Sequence, residues 1–295
     1  MKLIIAEKPS LARNIVAGIS GEMKKENGYF IGKDYIVSWA FGHLFSLADI
    51  ESYTGSDNKR WTLDCLPCFP KEFKFELKKA DGKSSPDAGV ARQFEILKKL
   101  CNRPDVDAIV NAGDADREGE IIVRLCVKNA LKSEKPELRL WLPDQTPETV
   151  SRALTEMKSE SEYDNLASEG FARTYIDWLY GVNLTRYATI RCGKLLRVGR
   201  VIVPIVRAIY ERDMEIRNFK PEKYYVIHSD EKTNGERIEL TGKKKFDKDK
   251  LADAEELARL YNETGAVVAQ VDSKKDAILP GKLYSLSTLQ NVLGK

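Results

Sequence analysis

The fold is decided by the stretch Asp107-Ala-Ile-Val-Asn-Ala-Gly-Asp114-Ala-Asp116-Arg117-Glu118-Gly-Glu120, in which an apolar run leads to a glycine and then to four acids. After these acids, apolar residues resume at helical spacing from Ile121 to Leu125. A short β-branched run, a glycine and then an amphipathic pattern predict a strand, a turn and a helix. Ligands of an open parallel sheet bind beyond the carboxyl ends of its strands, so these acids stand where a binding site is expected.

The spacing of the acids indicates a site for a hard cation. On extended backbone, the carboxylates of Asp114 and Asp116 would point to the same side. Mg²⁺ binds one or two carboxylates together with waters and substrate phosphates. The alternative is that acids in a first helical turn complement the helix dipole. This alternative explains Glu118 and Glu120, but Asp114 and Asp116 precede the predicted helix, so we expect these two to hold a metal.

A second strand, loop and helix pattern opens the chain. Leu3 to Ala6 forms a buried-strand run, and Glu7 and Lys8 follow it directly. If this strand neighbours the strand before Asp114, the charged residues after both strands face one crevice. The alternative is that Glu7 and Lys8 are solvated loop charges.

The region from Trp178 to Tyr210 contains no acid. Its basic residues are Arg186, Arg191, Lys194, Arg197, Arg200 and Arg207. A solvated surface normally mixes both signs of charge, whereas a stretch of one sign with interspersed glycines suits a phosphate backbone. We therefore expect nucleic-acid contact here. Just upstream, Arg173 and Asp177 are four residues apart on a predicted helix, a spacing that an ordinary intrahelical ion pair also explains.

Aromatic residues and a histidine lie between Lys8 and the acidic stretch that begins at Asp107. Trp61, Phe69, Phe73 and Phe75 could stack on bases, but aromatic residues beside prolines more often pin a loop. We interpret the phenylalanines in that way and keep Trp61 as the candidate for DNA contact. His43 has no acidic or cysteine partner at ligand spacing, so we interpret it as structural.

Composition limits the class of protein. A chain of 295 residues, 42% hydrophobic and 32% charged, suits a soluble globular protein of about two domains. There is no run of about 18 apolar residues and no signal-peptide core, so we expect no membrane association and a cytoplasmic location. Five scattered cysteines fit a reducing compartment. The net charge of +3 is small, so any nucleic-acid surface must be local.

Four separated motifs, taken in order, resemble the type IA DNA topoisomerases. The acidic motif at 114–120 is similar to that of the TOPRIM fold, and Glu-Lys-Pro-Ser at 7–10 resembles the opening motif of the topoisomerase III branch. The segments at 172–186 and 197–204 resemble the family's DNA-groove helix and its Val-Gly-Arg-Val-Gln-Thr-Pro motif. Ile202 and Val203 replace the polar Gln and Thr of that last motif, which puts a DNA contact at those two positions in doubt.

The resemblance implies an α/β fold. Residues 1–150 would form a TOPRIM domain with a Rossmann-like, mostly parallel sheet, and residues 151–218 a helical region that binds single-stranded DNA. Residues 219–278 would begin a β-rich arch, for which the pattern itself predicts strands at 224–229, 237–241 and 266–271 and a helix at about 250–262. Residues 279–295 would open the domain that carries the nucleophile.

The resemblance also implies an activity. Such enzymes are isomerases that cut one DNA strand through a 5′-phosphotyrosine, pass another strand and reseal the first, with Mg²⁺ and without ATP. Glu7 and Lys8 would act at the scissile phosphate, Asp114, Asp116 and Glu118 would hold Mg²⁺, and Glu7 would border the metal. The residues expected to hold single-stranded DNA are Trp61, Arg173, Asp177, Arg186, Lys194, Arg197 and Arg200.

The family's nucleophile is a tyrosine in a Thr-Tyr-Pro-Arg-Thr context, and none of the 12 tyrosines has it. We therefore expect the chain to end before the nucleophile and to be inactive alone. A monomer is expected, with a helicase or a single-strand-binding protein as a candidate partner. Two alternatives stay open, namely another TOPRIM enzyme such as a primase or metal-dependent nuclease, and a non-catalytic DNA-binding module.

Overall fold

The computed structural model describes the chain apart from residues 56–60, 81–84, 265–271, 278–280, 282 and 295. The chain divides into two compact units, Met1–Arg212 and Asp213–Lys295. The region expected to be a TOPRIM domain and most of the expected helical region therefore lie in one unit. No helix within the described ranges is long and apolar enough to cross a membrane.

A seven-stranded sheet forms the centre of the first unit. Its first four strands are β1 (Lys2–Ala6), β2 (Lys24–Glu26), β3 (Tyr29–Ile31) and β4 (Tyr35–Trp39). The next two strands of the chain, β5 (Phe45–Leu47) and β6 (Phe75–Leu77), form a separate two-stranded sheet. The main sheet is completed by β7 (Ala108–Ala112), β8 (Glu137–Arg139) and β9 (Lys158–Ser159). The spatial order is β2-β3-β4-β1-β7-β8-β9. The four central strands are parallel, whereas β2, β3 and β9 join antiparallel. The predicted mostly parallel α/β fold is confirmed.

Helices cover both faces of this sheet. The helices, in chain order, are α1 (Pro9–Gly18), α2 (Glu51–Thr54), α3 (Ala88–Cys101), α4 (Arg117–Ala130), α5 (Pro147–Ala153), α6 (Asp164–Cys192) and α7 (Ile202–Arg217). Of these, α1 and α5 pack on one face of the sheet, and α3 and α4 pack on the other. Successive side chains of a strand point to opposite faces. Accordingly, Leu3 and Ile5 of β1 enter the core beneath α3 and α4, while Ile4 and Ala6 enter the core beneath α1. Burial on both faces explains why the central strands are continuous apolar runs.

The described part of the second unit contains two antiparallel strand pairs and two α-helices that lie wholly within it. Its elements are β10 (Tyr224–Tyr225), β11 (His228–Thr233), β12 (Glu236–Thr241), β13 (Phe246–Asp247), α8 (Leu251–Thr264) and α9 (Leu286–Leu293). β10 pairs with β13, and β11 pairs with β12. The predicted first strand is split into β10 and β11, and the predicted second strand and helix are present. The predicted strand at 266–271 lies outside the described residues.

A network of charged and polar side chains is buried in the first unit. Arg139 and Glu120 are both fully buried, and Arg139 Nε donates to Glu120 Oε2 at 2.7 Å. Arg124 bridges Glu120 and Glu160, at 2.7 and 2.9 Å. Burial raises the pKa of Glu160 to about 7, against a hydrogen bond from Asn111 that lowers it. Because each buried charge has a partner, the network depends on all of its members.

The buried ion pair gives a stability prediction. Glu120→Ala leaves Arg139 buried without its carboxylate and is expected to lower the free energy of unfolding by about 3–5 kcal/mol. All four tryptophans (39, 61, 141 and 178) lie in the first unit, so their fluorescence in a urea titration reports on that unit.

Glu162→Ala is the matched control for this experiment. It breaks the exposed pair between Glu162 and Lys158, at 3.3 Å, and should change stability by less than about 0.5 kcal/mol. Equal losses in the two variants would show that the buried pair has no special role.

Candidate metal site and nucleic-acid interface

Two charged loops leave the sheet side by side. β1 and β7 are parallel neighbours, with Ala6 opposite Ala112, so the residues that follow both strands emerge at one edge. There, Lys8 Nζ lies 2.5 Å from Asp114 Oδ2, and the backbone N–H of Asp114 donates to Glu7 Oε2 at 3.2 Å. The two strands are therefore neighbours, as the prediction required, and Glu7 and Lys8 are not merely solvated loop charges.

The protonation of this cluster follows from its contacts. Burial, followed by the charge of Asp114, raises the pKa of Glu7. The hydrogen bond to Asp114 raises the pKa of Lys8, so Lys8 stays a cation at neutral pH. The edge thus presents a fixed positive charge beside a carboxyl group that takes up a proton more readily than an ordinary glutamate.

Asp116 does not continue an extended strand from Asp114, so the expected alternation was wrong. β7 ends at Ala112, and the N–H of Asp116 turns back to the carbonyl of Asp114 at 2.8 Å. Asp116 is the N-cap of α4, and its Oδ1 accepts from the N–H groups of Glu118 and Gly119 at 2.9 and 2.8 Å. Helix capping therefore explains Asp116 better than we expected.

Glu118 lies between an arginine and a histidine of the protein. α6 crosses the first turn of α4 at Gly170, where an added Cβ would lie 2.7 Å from the carbonyl oxygen of Arg117. This approach places Arg173 Nη1 3.2 Å from Glu118 Oε1. His43 Nε2 lies 3.5 Å from Glu118 Oε2, so His43 has an acidic partner in space, and its interpretation as structural stays a prediction. Sequence spacing could not reveal that partner because the two residues are 75 positions apart.

The donor set at this edge fits Mg²⁺ in part. Asp114 Oδ1 is buried and has no hydrogen-bond partner among the described residues, an arrangement that is costly for a carboxylate and that a cation would relieve. The described part of the chain brings no three His, Cys, Asp or Glu side chains together as a ready metal cluster. Mg²⁺ needs only one or two carboxylates when waters and phosphates complete its shell. Asp114 and Asp116 meet that requirement, whereas Glu118 is engaged elsewhere.

The sequence analysis missed the residue that holds this edge in place. The guanidinium group of Arg139 donates to four backbone carbonyls, those of Asn111, Gly113, Asp114 and Leu140, at 2.9–3.2 Å. The available signal was a lone arginine inside the apolar run Leu138-Arg-Leu. An arginine in such a run is expected to be buried and paired. Because its partners here lie in the turn, Arg139 positions that turn.

Two glycines allow the turn to touch the helix. A Cβ on Gly113 would lie 2.0 Å from the carbonyl oxygen of Gly119, and a Cβ on Gly119 would lie 2.4 Å from the backbone nitrogen of Asp114. The acidic motif therefore needs glycine at 119 for backbone packing, independently of any ligand.

The segment between α6 and α7 runs back along α6. Thr189 Oγ1 accepts from the N–H of Leu196 at 3.1 Å, and Thr185 Oγ1 accepts from the N–H of Val198 at 2.9 Å. Between these anchors, Arg197 is exposed. Lys194 and Arg197 have no ion-pair partner among the described residues.

Other predicted DNA-binding residues are engaged within the protein. Arg186 pairs with Glu51 at 2.7 Å, and its guanidinium carbon lies 4.8 Å from the ring centroid of Trp61. Arg200 pairs with Asp177 at 2.6 Å, and Arg173 lies 3.7 Å from Asp177. The last distance confirms the spacing-based intrahelical pair.

A groove of about 440 Å³ lies among these side chains. Its lining includes Trp61, Asp177, Trp178, Arg186, Arg197 and Val198. Phe73 does not contribute to the groove but stacks on Tyr175, with centroids 4.2 Å apart, so it pins the loop as predicted. Of the two residues that depart from the family motif, Ile202 is 56% exposed, and the N–H of Val203 donates to Gly199.

The close backbone contact gives a prediction at the metal site. Gly119→Ala must push the Asp114 turn away, so it should weaken Mg²⁺ binding, measured by calorimetry, by about tenfold and should destabilise the first unit by about 1–3 kcal/mol. The control is Gly199→Ala, because a Cβ at Gly199 meets no atom within 4 Å. Unchanged metal binding in Gly119→Ala would mean that the turn does not position the metal ligands.

Comparisons with known proteins agree with this arrangement. Residues 2–142 match the family model of the Toprim domain, and residues 161–294 match the family model described as DNA topoisomerase. Proteins named DNA topoisomerase 3 are similar over nearly the whole chain. Those of Bacillus cereus, Staphylococcus epidermidis and Shouchella clausii are 37%, 35% and 34% identical over 99%, 98% and 100% of this chain.

The chain spans 38–39% of the length of these curated relatives. Their similarity includes both the acidic sheet edge and the helical region, and the second family model favours a topoisomerase over a primase or a nuclease. With a Toprim domain followed by a DNA topoisomerase segment, the chain belongs to the DNA topoisomerase 3 family of type IA enzymes.

Proposed function

We propose that this chain forms the metal-binding and single-strand-binding part of a type IA DNA topoisomerase. The observation that carries the proposal is the meeting of Glu7, Lys8 and Asp114 at one sheet edge. Cleavage at a phosphate is assisted by a cation that stabilises negative charge, a carboxyl group that transfers a proton and a carboxylate that can bind a metal.

Mg²⁺ would be held by Asp114 and Asp116. Asp114 offers its buried Oδ1, and Asp116 caps α4 through Oδ1, which leaves Oδ2 for a metal. The bound ion would neutralise charge on the phosphate. Glu118 would join only after leaving Arg173, so we assign it an assisting role.

Glu7 and Lys8 would act on the phosphate directly. The raised pKa of Glu7 suits a group that manages the proton of the leaving 3′-hydroxyl. Lys8 stays protonated and would stabilise negative charge in the transition state. Both residues follow β1, and the neighbouring strand β7 brings Asp114 to the same edge.

Single-stranded DNA would follow α6 and the segment after it. Lys194 and Arg197 offer charge without a competing carboxylate among the described residues, and Trp61 and Trp178 offer rings in the groove. The covalent step needs a tyrosine that this chain does not show in the required context, so we propose that positioning and charge stabilisation reside here and the nucleophile elsewhere. We also propose that the protein is a monomer and that it acts with a helicase or a single-strand-binding protein.

Removal of the proposed metal ligands tests the metal site. Wild type should bind Mg²⁺ weakly in calorimetric titration, and more tightly with a single-stranded oligonucleotide present, because phosphate oxygens complete the shell. Asp114→Asn with Asp116→Asn should abolish this binding.

The matched control is Asp105→Asn with Asp107→Asn, which removes two acids of the same spacing just before the amino end of β7. It should bind Mg²⁺ like wild type. Equal binding by all three proteins would contradict the metal assignment.

Single-strand binding without chemistry tests the rest. The chain should bind a labelled oligonucleotide with a steep salt dependence, about −0.7 in the log–log slope for each neutralised phosphate. Lys194→Ala with Arg197→Ala should flatten that slope by about one unit or more. Lys24→Ala with Lys25→Ala, the same charge change on β2, should leave the slope unchanged.

A denaturing gel with Mg²⁺ completes this test. We expect no covalent adduct, because stabilising groups without an attacking group form no covalent intermediate. An adduct mapped to any tyrosine of this chain would refute the proposed division of labour.

A further inference from the structure

Four charged side chains alternate in sign along the interface between the acidic edge and α6. Glu118 contacts Arg173 at 3.2 Å, Arg173 contacts Asp177 at 3.7 Å, and Asp177 contacts Arg200 at 2.6 Å. Asp177 thus lies between two arginines, of which Arg173 also contacts Glu118, whereas Arg200 forms its ion pair with Asp177. All four side chains are between 36% and 50% exposed, so a ligand can reach the row.

The contact between Asp177 and Arg200 is bidentate. Arg200 Nε donates to Asp177 Oδ1 at 2.6 Å, and Nη2 donates to Oδ2 at 3.1 Å. Arg200, followed by Arg173, lowers the pKa of Asp177, so the carboxylate stays ionised at neutral pH. A guanidinium group binds a carboxylate and a phosphate in the same bidentate geometry. Asp177 therefore engages the donors that Arg200 would otherwise offer to a phosphate.

Asp177 cannot itself attract DNA, since its charge repels phosphate. Among the described residues, Asp177 is nevertheless the acid that forms an ion pair with Arg200, while Glu118 acts on Arg200 only through its charge. Lys194 and Arg197, on the same segment, carry no such acid. Of these three basic residues, Lys194 and Arg197 are therefore unpaired among the described residues, and Arg200 is paired with a carboxylate.

We propose that Asp177 is an internal competitor for DNA phosphate. In the free protein its carboxylate covers Arg200, and single-stranded DNA binds by displacing it. This inference rests on the proposed function, since it requires that the chain binds single strands. It assigns Asp177 a role opposite in sign to that of a residue that holds DNA.

The backbone favours exchange by side-chain movement alone. Thr185 anchors Val198 to α6 at 2.9 Å, two residues before Arg200. A Cβ on the intervening Gly199 meets no atom within 4 Å, so this part of the segment has room. Arg200 can therefore turn from the carboxylate to a phosphate while the segment stays anchored.

The experiment compares neutralising variants by fluorescence anisotropy with a labelled oligothymidylate. Asp177→Asn should bind about fivefold more tightly than wild type, because an exposed ion pair no longer has to be broken. Asp164→Asn is the matched control, since it neutralises an aspartate on the same helix that pairs with Arg124 at 2.7 Å. That control should bind like wild type.

A second pair of variants shows whether the gain passes through Arg200. In an Arg200→Ala background, Asp177→Asn should lose most of its gain in affinity, because there is no guanidinium group left to be released from the carboxylate. A full gain in that background would overturn the inference, as would an equal gain in Asp164→Asn, which would indicate a general charge effect.

Two further results separate this inference from the proposed function. Weaker or equal binding by Asp177→Asn, with wild type still binding the oligonucleotide, would overturn the internal competitor alone. No binding by wild type or by any variant would overturn the proposed function and the inference with it.

Discussion

The acidic edge depends on one buried guanidinium group. Arg139 is paired with Glu120 on one side and donates to four backbone carbonyls on the other. Where the backbone leaves a sheet, it loses the hydrogen bonds to the neighbouring strands, so its buried carbonyl groups need other donors. Arg139 provides them at the turn that carries Asp114. The position of Asp114, and so its contact with Lys8, follows from this arrangement.

Most of the charges at the proposed sites have partners within the protein. Asp114 is bound to Lys8, Glu118 to Arg173, Arg186 to Glu51 and Asp177 to Arg200. Binding of a metal or a phosphate would then be an exchange of partners. Exchange lowers affinity, because existing pairs must be broken, but it keeps the free protein from carrying unpaired, half-buried charge. Lys194 and Arg197, which have no ion-pair partner in the described part of the chain, suit first contact with a polyanion.

The division between positioning and chemistry also fits the length of the chain. It spans under two-fifths of its curated relatives, yet it contains both the Toprim domain and the start of the topoisomerase segment. Under the proposed function, the groups of this chain would hold, orient and stabilise a phosphate, and bond formation to DNA would need a nucleophile in addition.

The sequence alone determined the α/β class and the strand ends that carry Glu7, Lys8 and Asp114, and it predicted that these residues meet if the two strands are neighbours. Those features follow from local patterns, since apolar runs and glycines mark strands and turns, and parallel strands end at one edge. Only the tertiary structure decided that Asp116 caps α4, that His43 and Arg173 hold Glu118, and that Arg139 anchors the turn. Each of these contacts depends on the end of an element or on residues far apart in the chain. The periodicity that identifies an element states neither where it ends nor which distant side chain will lie against it.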